Sequence, residues 1–149
     1  MPHAQQQILD AVRNGLAAAG TAAGASVYLD RMRTLGEQQL PAILVDEAPQ
    51  GEDVDPPLAG RGEQRRFRVL VRAVVKDGED APAMARELGA QIERVLANPK
   101  FKAPRPGRMH MRASRHMPFG DGETPMAARE QLWETTYFLL RRDAPDQPS

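Results

Sequence analysis

The chain has no cysteine. Disulfides, thiolate catalysis and cysteine-ligated zinc are excluded together, which fits a protein made and used in a cytoplasm. Aromatic residues are scarce, at 5% of 149 residues. Few rings are therefore on hand to stack the bases of a single strand. No run of about 18 apolar residues occurs, so no helical membrane span is expected. The start, MPHAQQQILDAV, has neither the basic opening nor the unbroken apolar stretch of a secretory leader. Net charge is zero, which argues against a strong nucleic-acid footprint, since that wants a basic domain.

The neutral total hides a division. Residues 1–64 carry four arginines and nine acids, whereas residues 65–149 carry sixteen bases and eleven acids. This describes two differently charged surfaces on one soluble domain, or opposite patches that meet between copies of the chain. The length suits one domain, 1–149.

The clearest signal is Arg65–Asp77, RRFRVLVRAVVKD. Phe67, Val69, Val71, Ala73 and Val75 alternate with Arg66, Arg68 and Arg72, with Leu70 and Val74 among the latter. Period two with β-branched residues predicts a half-buried strand in an antiparallel sheet with one covered face. Ahead of it, Ile8, Val12 and Leu16 recur at helical spacing, so Gln5–Ala19 is expected to be a helix, weakened by Gly15 and stopped by Gly20. Val27–Arg31 and Leu40–Ala48 read as strands. Pro49–Gln64 is rich in proline, glycine and acids and is expected to be a long mobile loop. Asp80 is expected to cap a second helix with Pro82 in its first turn. Its apolar stripe is Met84, Leu88, Ile92 and Val95, with Ala85 and Leu96.

Met109–Met117 alternates, with Met109, Met111, Ala113 and Met117 on one face. Pro118–Pro125 reads as a loop. Glu130–Arg142 reads as a last strand that is apolar on both faces, so it belongs inside the sheet or under a partner. Asp143–Ser149 is expected to be a disordered tail. The expected fold is α+β: a mainly antiparallel sheet of about four to five strands with two helices packed on one face.

No catalytic pattern emerges. His110 and His116 are about 20 Å apart along a strand, too far to share a metal. GRGEQ and GDGETP lack the strand–glycine–helix setting of a phosphate loop. No serine has nucleophile-elbow glycines around it. The acids Asp46, Glu47, Glu52, Asp53 and Asp55 offer oxygen ligands but not the spacing of a calcium loop. No enzyme, metal or cofactor is expected. The same acids, with Arg66, Arg68 and Arg72, are the candidate residues for contact with another protein surface.

The Ala-rich first helix is followed by VYLDRMRTLGEQQLPAILVDEAPQ. Val27-Tyr28 leads to Arg31 and Arg33, and Leu40-Pro41-Ala42 opens an apolar strand that runs into acids. With the long strand, the amphipathic helix Asp80–Ala97 and the closing strand Leu132–Arg142, the chain resembles the tail terminator proteins of long-tailed bacteriophages and prophages, the lambda-type minor tail protein group. The likeness spans roughly residues 4–142. It departs at Asp46, where an aromatic often stands, and Lys100–Gly122 has no counterpart.

The resemblance implies a non-catalytic virion part, found in the tail and, during assembly, in the host bacterial cytoplasm. Such a part caps the tail tube as a homo-oligomeric ring, typically a hexamer. It stops tube growth and offers a surface to the head-completion or connector protein, with the major tail tube protein below and DNA as passing cargo. No membrane partner is implied. Two alternatives stand beside it: a neighbouring head–tail joining or neck protein, and a non-catalytic α+β ligand-binding or regulatory subunit.

Overall fold

The computed structural model describes residues 4–29, 35–55, 62–98, 100–101, 108–119 and 125–140. The elements run α1 (Ala4–Ala18), β1 (Val27–Tyr28), β2 (Ala42–Val54), β3 (Gly62–Lys76), α2 (Ala81–Leu96), β4 (His110–Phe119) and β5 (Met126–Leu140). They form one five-stranded sheet in the order β1-β2-β3-β5-β4. Only β1–β2 is parallel; the other pairs are antiparallel. The α+β architecture expected from the sequence is the one observed.

Both helices lie on one face. Ile8, Val12 and Leu16 of α1 and Leu88, Ile92 and Leu96 of α2 pack with Ile43, Val45, Phe67, Val69, Val71, Ala73, Trp133 and Tyr137 in one apolar cluster. Period two puts these odd-numbered β3 and β5 residues on a single face, and the two helical stripes cover it. Gly15 does more than weaken α1. A Cβ there would stand 2.7 Å from the Phe101 ring, so its absence lets Phe101 close against the helix. Gly20, at φ +71°, ends α1 in a left-handed residue.

Several expectations change. The α2 stripe is Ala81, Ala85, Leu88, Gly89, Ile92 and Leu96, which turns Met84 outward to 49% exposure. Asp80 precedes the helix but makes no side-chain capping bond. Strand enters the stretch expected to be a loop from both ends: β2 continues to Val54 and β3 starts at Gly62, with Glu52–Val54 and Gly62–Gln64 paired. A bulge between Glu47 and Glu52 absorbs Pro49 and Gly51. Residues 56–61 at the centre of that stretch, and the tail 143–149, lie outside the described residues. β5 starts at Met126, earlier than expected.

A second bulge, between Met111 and Ala113, reverses the face on which β4 side chains fall. Met109 therefore joins the helix-side core. Met117 packs on the opposite face with Ala42, Leu44, Val74, Met126 and Ala128, under Tyr28, Leu35 and Leu40.

Candidate assembly surface

Away from that small second cluster, the face turned from the helices carries paired charges. Arg68 and Arg72 on β3 stand opposite Glu134 and Glu130 on β5. Arg72 Nε donates to Glu130 Oε2 at 2.9 Å, while Arg115 of β4 donates to Oε1 of the same carboxylate at 3.1 Å. Arg112 Nη2 donates to Glu134 Oε1 at 2.9 Å, and Arg68 Nε lies 3.4 Å from Oε2. Each glutamate thus sits between two arginines. The carboxylates are sunk, at 10% and 8% side-chain exposure, whereas Arg115 and Arg112 are 70% and 57% exposed. On this face the charge that β4 presents to solvent is guanidinium.

Towards β2 the ladder continues with acids. Arg68 Nη2 donates to Asp53 Oδ2 at 2.5 Å, and Arg66 Nη2 to Asp55 Oδ1 at 3.1 Å. The hydrogen bond from Arg68, reinforced by its charge and that of Arg66, holds the Asp53 carboxyl below its ordinary range. The bond to Asp53 in turn raises Arg68.

The eight residues singled out from the sequence therefore divide. Arg66, Arg68, Asp53 and Asp55 meet one another within one chain, and Arg72 meets Glu130. Asp46 stands opposite Leu70 on the same face and accepts from the Glu47 backbone N–H at 2.8 Å. Glu47 stands opposite Val69 on the helix-covered side. The bulge separates Glu52 from Asp46 and Glu47 and turns it inward, opposite Phe67. There it accepts from Tyr137 Oη at 2.5 Å and from Gln5 Nε2 at 2.9 Å, with Arg65 Nη1 3.3 Å away. This cluster fastens the start of α1 to the β2–β3 hairpin and to β5. Burial, then the Glu52 bond and charge, push the Tyr137 hydroxyl up to about 12 against the opposing Arg65. Burial works against the Arg65 charge, but its bonds to Glu63 and Tyr137 and the field of Glu52 outweigh that and raise it.

Glu130 and Glu134 were not singled out from the sequence. Their signal was an E-x-x-x-E spacing on β5 that matches R-x-x-x-R at Arg68 and Arg72. It becomes readable only once the two strands are aligned.

Between the rungs is a shallow hollow of about 340 Å³. Leu70 and Leu132 form its floor, and Arg72, Arg115 and Glu130 its walls. A smaller hollow of about 210 Å³ lies between α2 and β4–β5, beside Gly89 and Gln131. It is below the range of about 300–1,000 Å³ usual for small-molecule sites. It is also crossed by a structural bond, from Gln131 Nε2 to the Gly89 carbonyl at 2.9 Å. Among the described residues no three acidic or histidine side chains converge to hold a metal ion.

No protein-family model matches the chain, and no curated protein does. Among solved structures, a chain from the virion of a native gene transfer agent particle is similar, with a TM-score of 0.55 and 17% identity. The match covers 90% of this chain and 93% of that one. At this identity what the two chains share is the fold, and they share it nearly end to end.

Proposed function

We propose that this protein is a structural part of a phage-type virion, and that it caps the tail tube as a ring, ends its growth and offers the head-joining surface. The observation that carries the reading is the fold match, which takes in nine-tenths of both chains and whose other member is a virion chain. The sequence resemblance to tail terminators points the same way. The charged face supports it further. Exposed ion pairs contribute only about 0–1 kcal/mol each, yet an array of them sets register and orientation between surfaces, which is what an assembly part requires.

The test is to mix the purified chain with tail tubes made from the tube protein encoded beside it, and to image the products. Six-fold rings on one tube end, with tubes held at a uniform length, are expected. Binding to head connectors but never to tubes would move the protein to the neck. An isologous dimer that stays unchanged on adding tubes would end the ring reading.

A further inference from the structure

The sheet has two edges without a strand partner among the described residues, and they carry opposite charge. β4 pairs only with β5. β2 has β1 beside it only at Ile43 and Leu44, so its run from Val45 to Val54 has no strand on the outer side. β2 contains four acids and no base, and β4 contains two arginines, two histidines and no acid. We infer that these edges pair with each other between copies of this chain, β4 of one subunit adding to the far half of β2 in the next. The inference rests on the ring reading and names the surface that would close the ring.

Strand direction fits. β2 runs antiparallel to β3, β3 to β5 and β5 to β4, so β2 and β4 point opposite ways. A rotation about an axis along the strands keeps those directions. A neighbour placed by it meets β4 with an antiparallel β2, the favoured pairing for an added strand.

Charge selects this join over its rivals. On the open face, Arg112 and Arg115 of β4 would meet Asp46 and Asp53 of β2. The in-chain partners of Arg112, Arg115 and Asp53 lie on the inner side, and these three side chains remain 57%, 70% and 47% exposed. A two-fold β4–β4 join would oppose arginines, and a β2–β2 join would oppose acids; like charges on facing strands destabilise. The head-to-tail join is heterologous and closes into a ring when the rotation allows. Pro49 and the two bulges break both edges into short runs such as Val45–Glu47 and Ser114–Met117. This keeps the pairing from spreading into open aggregation.

The absence of cysteine makes a clean test possible. Glu47→Cys and His116→Cys lie on the helix-covered side of the two edges, away from the arginine–glutamate rungs. The double variant and each single variant would be held at high concentration with a short bismaleimide, which tolerates a small error in register. The expected result is a ladder of linked multimers in the double variant and none in either single variant. The ladder should fade as ionic strength rises from about 0.01 to about 1 M, where the screening length falls from about 30 to about 3 Å. Dimers in His116→Cys alone, or rings by electron microscopy with no ladder in the double variant, would overturn the edge pairing and leave the ring reading standing. A chain that stays monomeric and unlinked at every concentration would also overturn the edge pairing. The ring reading would then stand or fall on the tail-tube experiment.

Discussion

On one side of β3, Phe67, Val69, Val71 and Ala73 are fully buried beneath two helices. On the other, Arg66, Arg68 and Arg72 are bonded to carboxylates from two stretches of chain, the end of β2 and β5. The first side is closed by apolar area, which is non-directional and strong at about 25 cal/mol per Å². The second is closed by hydrogen-bonded charge, which is directional and weak in net terms. One strand thus holds the fold together with its odd residues. With its even residues it presents a patterned, charged surface.

The largest expected effect is on the helix side. Trp133→Ala or Phe67→Ala should cost about 3–5 kcal/mol in a urea melt, because both side chains are almost wholly buried. Leu132→Ala, one residue away on the other face, should cost less than half as much. Equal losses from Trp133 and Leu132 would erase the distinction between the faces.

Next comes the buried end of the charge ladder. Arg72→Ala strips one of two arginines from the sunken Glu130 carboxylate and should cost about 2 kcal/mol. That is below the 3–5 typical of a buried charge left with no partner, because Arg115 still holds the other oxygen. Replacing both partners, with Arg72→Met and Glu130→Leu, should be milder than Arg72→Ala alone. If the double variant is the less stable, the rung contributes more than its geometry implies.

The Tyr137 cluster predicts an alkaline limb. Folded Tyr137 ionises at about 12 rather than 10.0, so the native state keeps a proton that the unfolded chain gives up. Stability should therefore fall as pH rises from about 10 to about 12, by up to about 2–3 kcal/mol. Tyr137→Phe should lose that slope, and melts at stepped pH would reveal it.

The smallest effect belongs to Asp53. Its lowered pKa gives stability that is present above the ordinary value of 3.8 and is lost as pH falls through the folded value. Asp53→Asn should flatten the acid end of the pH profile while leaving a neutral-pH melt unchanged within its scatter.

The legible parts of the sequence were those where one stretch carries its own pattern. The alternation at Phe67–Val75 and the stripe at Ile8, Val12 and Leu16 each bury a face, and each reads correctly alone. The Pro49–Gln64 stretch did not, because its composition is that of a loop while its strand pairing comes from β3. The bulges at Glu47–Glu52 and Met111–Ala113 were invisible, since an inserted residue changes which face a side chain takes without changing residue type. They are why Glu52 turns inward and Met109 and Met117 part company. Glu130 and Glu134 stayed hidden because two acids on an apolar strand look incidental until Arg68 and Arg72 are set opposite them.

β5 is the last described strand in the sequence and lies between β3 and β4 in the sheet. As the chain leaves the ribosome, β4 emerges with no neighbour to pair with, and β3 is bound on one side only. The sheet cannot close until β5 has been made, when that strand slots into the gap and supplies Trp133, Tyr137 and both sunken glutamates at once. A message cut short within β5 would therefore yield a chain missing its middle rather than its end.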